Sequence, residues 1–144
     1  MVLCTRLLCV VQGVLLSIED NDADYYLINL AVRETRTAIQ LCRVSDGESA
    51  LRFLHRSRGY EVAPRPDLIL LDLNLPKRGG LEILCDIQAS EFLRSIPVII
   101  FTSSTLEADR ERALALGAEN YISKPQSLDE MVEAVGSVCG RFSA

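Results

Sequence analysis

Short apolar runs alternate along this chain with longer stretches whose apolar residues recur at helical spacing. This alternation is typical of a parallel sheet, because each parallel strand reaches its neighbour through a crossover helix. Five strand–helix units are predicted, with strands at residues 14–18, 39–44, 67–71, 98–101 and 120–123. The third strand is almost continuously apolar, as a central strand buried on both faces should be.

The predicted helices span residues 23–35, 48–56, 81–94, 106–116 and 128–138, and residues 57–66 are predicted to form a loop. Asp22 is predicted to cap the first helix, since an Asp side chain accepts hydrogen bonds from the amides of the first turn. Gly117 is predicted to end the fourth helix, because glycine readily adopts the left-handed conformation at that position.

A length of 144 residues suits one domain. We expect that domain at residues 13–140, with an N-terminal extension at 1–12 and no output domain after the last helix. The apolar run at residues 1–11 is too short to span a bilayer. It is interpreted as an extra strand or a loose tail, with a targeting segment as the alternative.

Composition narrows the class of protein. The formal charge of -5 argues against direct binding to nucleic acid or to an anionic membrane surface, which needs clustered Lys and Arg. The five cysteines are scattered, without paired or zinc-ligand spacing, and are interpreted as reduced core thiols of a cytoplasmic protein.

Polar side chains follow four of the five predicted strands. In an open parallel sheet the ligand site lies beyond the carboxyl ends of the strands, so these residues should lie close together. The second strand ends in Val44-Ser45-Asp46 and contributes no obvious site residue, which fits a position at the edge of the sheet. The strand-end residues are Glu19 and Asp20 after strand one, Asp72 after strand three, Thr102 after strand four and Lys124 after strand five.

Three carboxylates in one place repel one another unless a cation joins them. An all-oxygen site with few protein ligands favours a hard cation that keeps several waters, so Mg²⁺ is the predicted cofactor. Lys124 and the metal would then hold the oxygens of a phosphoryl group in transfer. Asp72, an ionised carboxylate at neutral pH, could attack phosphorus without a general base and form an acyl phosphate.

The motif residues together resemble the receiver domain of two-component signalling. The resemblance rests on Glu19-Asp20, on Asp72 with Asn74 and Pro76, on Thr102 and on Lys124-Pro125. It implies a flavodoxin-like α/β fold whose five-stranded parallel sheet has the order 2-1-3-4-5, with five flanking helices.

The resemblance also assigns roles. Asp72 would be the phosphoacceptor, and the metal ligands would be Asp72, Asp20 directly, Glu19 mainly through water and Asn74 through its backbone carbonyl. Thr102 would shift toward the phosphoryl group, Tyr121 would swing inward when the domain is active, and Lys124 would contact the phosphate. The Lys124-Pro125 bond is often cis in the family, and only X-Pro bonds tolerate cis at small cost.

The implied function is that of a single-domain response regulator. It would receive its phosphoryl group from a sensor histidine kinase or a histidine phosphotransfer protein, and catalyse only its own phosphorylation and dephosphorylation. The face of helix 4, strand 5 and helix 5 would then change its binding of partners, and could support a homodimer. The segment Asp-Leu-Asn-Leu-Pro at 72–76 is similar to the corresponding segment of stand-alone receivers paired with phytochrome-like sensor kinases.

Each residue taken alone has an ordinary structural explanation. Asp72 could hold the following turn, Glu19-Asp20 could favour a helix N-terminus, and Thr102 suits a strand end. Lys124 could be a solvated loop lysine and Tyr121 a packing residue. The five strand-end residues, Tyr121 not counted, lie at the right strand ends and in the right order, which favours the functional interpretation.

Other functions remain as alternatives. A small phosphatase with an aspartyl nucleophile generally has a second Asp two residues later, where this chain has Asn74. A flavodoxin-like cofactor binder would need a phosphate loop after strand one, where this chain has acids. A degenerate receiver would act only by binding partners. His55, a candidate relay histidine, lies among arginines and is interpreted as a surface residue.

Overall fold

A five-stranded parallel sheet forms the centre of the computed structural model, which describes residues 11–142. All pairings are parallel and the spatial order is β2-β1-β3-β4-β5, as the family resemblance implied. The strands are β1 (Gly13–Ile18), β2 (Ile39–Val44), β3 (Leu68–Leu71), β4 (Val98–Thr102) and β5 (Asn120–Ser123). The predicted extra strand or tail at the N-terminus lies, apart from Val11, outside the described residues.

Within residues 11–142, five α-helices connect and cover the strands, as predicted. They are α1 (Asp22–Glu34), α2 (Gly47–Leu54), α3 (Gly80–Ala89), α4 (Glu107–Ala115) and α5 (Leu128–Cys139), and a 3₁₀ turn (Gly140–Phe142) follows. No helix within residues 11–142 is long and apolar enough to cross a bilayer.

The cap of α1 differs from the prediction. Asn21, not Asp22, is the N-cap, and its Oδ1 accepts a hydrogen bond of 2.9 Å from the amide of Asp24. Asp22 is the first helical residue, and its carboxylate pairs with Arg43 at 2.8 Å instead. Asn and Asp cap helices about equally well, so adjacent Asx residues do not identify the cap by type alone.

Alternate residues of each strand face opposite layers of the core, as the two-residue period of a strand requires. Leu16 and Ile18 of β1 belong to the cluster that α2, α3 and α4 cover. Leu15 belongs to the second cluster, which α1 and α5 cover. The sheet is therefore buried on both faces, and its carboxyl-end edge is where polar side chains can gather.

The described cysteines are free thiols, but they do not all lie in the core as predicted. Cys139 is buried, Cys42 is half-buried and Cys85 is exposed on α3. Cys85 follows the fully buried Leu84 and precedes Asp86. Its position in an apolar stretch therefore did not indicate that its side chain faces solvent. Cys4 and Cys9 lie outside the described residues.

Candidate functional site

The strand register brings the predicted site residues to one edge of the sheet. Ile18 of β1 is level with Leu71 of β3, so Glu19 and Asp72 follow side by side. The amide of Asp72 donates to the carbonyl of Ile18 at 3.1 Å. At the other side of the edge, the amide of Lys124 donates to the carbonyl of Thr102 at 2.7 Å.

Three carboxylates form a tight acidic cluster at this edge. One oxygen from each of Glu19, Asp20 and Asp72 lies within 4.8 Å of the others. Glu19 and Asp72 are 1% and 3% exposed, whereas Asp20 is open to solvent. The site is thus a partly enclosed acidic pocket with one side facing water.

Lys124 places a single ammonium among these carboxylates. Its Nζ lies 2.8 Å from Glu19 Oε1, 2.8 Å from Asp24 Oδ2 and 2.9 Å from Asp72 Oδ2. Burial acts to lower the pKa of Lys124, but the contacts with Asp24, Glu19 and Asp72 outweigh it and raise that pKa above its ordinary value. The ammonium is therefore a fixed positive charge beside the candidate nucleophile.

Glu19 shows how costly the buried negative charge is. Burial raises its pKa from 4.5 to about 7; the contact with Lys124 lowers the pKa, and the charge of Asp72 raises it. Its Oε2 accepts from the amide of Asn21 at 3.2 Å, while its Oε1 accepts no well-aligned hydrogen bond. That oxygen lies 2.8 Å from Lys124 Nζ as an ion pair, and with Asp20 and Asp72 it offers the all-oxygen donor set that suits a divalent cation.

Asn74 lies in the turn that follows Asp72. Its amide donates to Asp72 Oδ1 at 3.1 Å, and the residue is exposed. This bond orients the Asp72 carboxylate, whose other oxygen points to Lys124. The ligation of a metal by the Asn74 carbonyl stays a prediction.

Thr102 and Tyr121, the two predicted switch residues, are joined through Ser104. Thr102 is fully buried, and its hydroxyl accepts a bond of 3.3 Å from the amide of Ser104. The half-buried Tyr121 donates its hydroxyl to the carbonyl of Ser104 at 3.3 Å. Ser104 Oγ donates to Asp109 in the first turn of α4 at 2.7 Å. A short hydrogen-bonded path thus leads from Thr102 to α4 and β5.

The Lys124-Pro125 peptide bond differs from what the family resemblance implied. The described residues contain no cis peptide bond, so this bond is trans.

Gly80 allows the chain after Asp72 to pack closely against α3. A Cβ at this position would lie 2.4 Å from the carbonyl oxygen of Asp72 and 2.5 Å from the Cα of Leu73. Both neighbours are backbone atoms, so only glycine fits there. The start of α3 therefore helps to fix the position of Asp72.

Asp24 is the site residue that the sequence analysis missed. It lies in α1, four residues after Asp20, and its carboxylate contacts the Lys124 ammonium directly. A spacing of one helical turn from the acidic pair was the available signal. His55 is exposed at the end of α2, in agreement with its interpretation as a surface residue.

Comparison with known protein families gives one match over most of the chain. The model of the response regulator receiver domain matches residues 15–136, which lie within the predicted domain. Response regulator Rcp1 of Synechocystis sp. is 36% identical over 125 residues, covering 87% of this chain and 85% of Rcp1.

Solved structures give the same result. The Mn²⁺-bound form of Rcp1 covers 89% of this chain and 92% of its own, with a TM-score of 0.84 and 35% identity. The phosphorylated cyanobacterial phytochrome response regulator RcpA has a TM-score of 0.86 at 35% identity, covering 90% of this chain and 93% of its own. A third structure is the receiver domain of sensor histidine kinase PA1611 from Pseudomonas aeruginosa, with magnesium in its active-site cleft. It has a TM-score of 0.69 at 30% identity, and the match covers 89% of this chain and 98% of its own.

Proposed function

This chain belongs to the response regulator receiver domain family of two-component signalling, and we propose on that basis that Asp72 accepts a phosphoryl group in a Mg²⁺-dependent reaction. The observation that carries the proposal is the placement of Asp72. Its carboxylate is 3% exposed, lies 2.9 Å from the Lys124 ammonium, and shares the edge of the sheet with Glu19 and Asp20.

The proposed transfer needs no general base. One oxygen of the Asp72 carboxylate, which lies 2.9 Å from the Lys124 ammonium, forms a bond to phosphorus while the bond from phosphorus to the donor breaks. The leaving group departs with the electron pair. Negative charge spread over the phosphoryl oxygens would be stabilised by the ammonium of Lys124 and by the hydroxyl of Thr102.

Mg²⁺ is the proposed cofactor. Glu19, Asp20 and Asp72, with the Asn74 carbonyl, would hold it, and the ion would neutralise charge on the phosphoryl oxygens. The Mn²⁺-bound Rcp1 and the magnesium-bound PA1611 receiver domain support a divalent cation in this family. The cluster of carboxylate oxygens from Glu19, Asp20 and Asp72 supports it in this chain.

The phosphorylated state would be communicated through Thr102, Tyr121 and Ser104. A shift of Thr102 toward the phosphoryl group would break its bond to the Ser104 amide, and with it disturb the bonds of Ser104 to Tyr121 and Asp109. The surface of α4, β5 and α5 would then change as a shift between two states. The exposed Leu106 and Leu114 give this face apolar surface for a partner or a second copy.

A histidine kinase is the proposed phosphoryl donor, either directly or through a histidine phosphotransfer protein. Rcp1 and RcpA are response regulators, and RcpA is described as a phytochrome response regulator. We extend this to the present chain by proposing a phytochrome-like kinase as its partner.

Intact-mass spectrometry tests the proposed phosphorylation. The wild-type protein is incubated with acetyl phosphate or phosphoramidate, with Mg²⁺ or with a chelator. We expect a gain of one phosphoryl group that requires Mg²⁺, is removed by hydroxylamine and is absent in Asp72→Asn. Asp22→Asn removes an equal charge at a 92% exposed side chain and should be labelled like the wild type. The proposal is contradicted if Asp72→Asn is still labelled, or if the wild type is labelled equally well with Mg²⁺ and with the chelator.

A further inference from the structure

Asp24 contributes a carboxylate to the site from outside the strand ends. It is the third residue of α1, and the cap by Asn21 sets the start of that helix. Its Oδ2 lies 2.8 Å from Lys124 Nζ, although the two residues are 100 positions apart. The Asp24 side chain is 30% exposed, against 1% for Glu19 and 4% for Asp72, so it closes the solvent side of the ammonium.

The Lys124 ammonium donates hydrogen bonds to Asp24 Oδ2 and Asp72 Oδ2 and forms an ion pair with Glu19 Oε1, so carboxylates surround it on three sides. An ammonium carries three N–H donors, and three carboxylates lie at 2.8, 2.8 and 2.9 Å from Lys124 Nζ. To donate to a phosphoryl oxygen, Lys124 has to weaken or release one of these contacts. The choice of which contact is released decides how readily the ammonium serves the transfer.

The three carboxylates differ in what phosphorylation does to them. Asp72 becomes the carrier of the phosphoryl group, so the Lys124 ammonium would stay near Asp72 and contact the charged phosphoryl oxygens. Glu19 is a proposed metal ligand, so a cation would compete with Lys124 for it. Asp24 has neither role, so its contact with the ammonium is the one that the transfer does not itself alter.

We propose that Asp24 is a positioning residue that retains the Lys124 ammonium and thereby slows the uptake of a phosphoryl group by Asp72. This inference rests on the proposed function. In the transfer from acetyl phosphate, an oxygen of Asp72 bonds to phosphorus, the bond from phosphorus to the acetyl oxygen breaks, and acetate leaves with the electron pair. Asp24 takes no part in these bonds and acts only through Lys124.

The test compares initial rates of phosphorylation by acetyl phosphate at fixed Mg²⁺, read by intact-mass spectrometry. Asp24→Asn is expected to raise the rate about two- to fivefold, the range that a partly exposed ion pair supports. Asp24→Glu keeps the charge and should stay near the wild-type rate. Asp22→Asn removes an equal charge from the same helical turn without touching Lys124, and should also stay near it.

The direction of the change separates this inference from a purely structural role. A residue that only holds the fold together would give a lower rate and a lower Tm when replaced, not a faster reaction. An Asp24→Asn rate equal to or below the wild-type rate overturns the inference. An equal increase in Asp22→Asn also overturns it, because the effect would then be general attraction of the anionic donor.

A second measurement examines the contact without any phosphorylation. The ¹⁵N resonance of Lys124 Nζ is recorded by NMR in wild type, Asp24→Asn and Asp22→Asn. A change confined to Asp24→Asn supports the retained ammonium, and no change overturns it. If the wild type takes up no phosphoryl group at all, the proposed function fails, while this resonance still decides whether Asp24 holds the ammonium.

Discussion

At the scale of single residues, the site depends on how much negative charge is held around one ammonium. Four carboxylates, those of Glu19, Asp20, Asp24 and Asp72, gather at the edge of the sheet, and three of them contact Lys124. Burial disfavours the ionised form of Glu19, and the nearby charge of Asp72 adds to this effect, so the pKa of Glu19 is raised. The fold therefore carries an electrostatic cost at the place where the chemistry is proposed.

Replacement of Glu19 by Gln should remove part of this cost. In a chelator at about pH 8, we expect Glu19→Gln to raise the free energy of unfolding by about 1–3 kcal/mol, because one pKa unit corresponds to about 1.4 kcal/mol. Burial raises the folded-state pKa of Glu19 from 4.5 to about 7, so the wild type loses stability as pH rises through this window. The gain should therefore vanish below pH 4.5.

Urea unfolding at several pH values measures this effect. Glu111→Gln, at an exposed position in α4, is the control and should change the free energy of unfolding by less than about 0.5 kcal/mol. A Glu19→Gln variant that is less stable than the wild type above pH 7 would contradict the electrostatic interpretation.

The sequence predicted the residues at the strand ends, but not Asp24. Parallel strands end at a common edge, so Asp72 and Lys124 could be expected to meet once the strands were recognised. Whether Asp24 faces that edge depends on the rotation of α1 about its axis. This rotation follows from the cap at Asn21 and the packing of α1, which the strand pattern does not specify.

At the scale of elements, the position of Asp72 depends on how α3 begins. Gly80 lies against the backbone of Asp72 and Leu73, whereas a Cβ at the neighbouring Gly79 would meet nothing within 4 Å. The two adjacent glycines thus have different roles, one in close packing and one at an open N-cap.

A pair of variants tests this difference. Gly80→Ser should lower the free energy of unfolding by about 1–3 kcal/mol, the usual cost of overpacking, and should reduce phosphorylation because the Asp72 backbone has to move. Gly79→Ser should stay within about 0.5 kcal/mol of the wild type, as open surface positions usually do. Urea unfolding and intact-mass labelling measure both. Equal effects of the two substitutions would show that the close contact at Gly80 does not position Asp72.

The sequence predicted the first and last residues of the strands accurately, and those of the helices less accurately. The structure places β2 and β5 at the predicted residues, but α3 ends at Ala89 rather than just before Ser95. Leu93 and Ile96 are buried, so the apolar pattern continues beyond the helix. The chain continues in a turn, in which the backbone amide of Arg94 donates to the Ser90 carbonyl at 2.8 Å. This turn brings the two side chains into the core without further helix.

At the scale of the whole molecule, the site and the face of α4, β5 and α5 are connected through Ser104. The connection consists of bonds to Thr102, Tyr121 and Asp109, of 3.3, 3.3 and 2.7 Å. The spatial order of the strands makes this possible, because β4 and β5 are neighbours at one side of the sheet. That order was implied by the family resemblance, since strand pattern alone allows several arrangements.

Hydrogen exchange measured by mass spectrometry tests this connection. After phosphorylation, amide exchange should change in residues 103–115 and 120–139, while α2 should keep its rate. Thr102→Ala should weaken the change at an equal phosphorylated fraction, because the first bond of the path is missing. A change of equal size in α2, or one that Thr102→Ala leaves intact, would argue against Ser104 as the connection.

The central claim is that Asp72 itself carries the phosphoryl group, and chemical mapping of the modified residue tests it most directly. The protein is treated with acetyl phosphate and Mg²⁺, then with borohydride, which reduces an aspartyl phosphate to homoserine, and its peptides are sequenced by tandem mass spectrometry. We expect homoserine at position 72, and none when a chelator replaces Mg²⁺. Homoserine at Asp20 or Asp24, or at no residue of a protein that has gained a phosphoryl group, would contradict it.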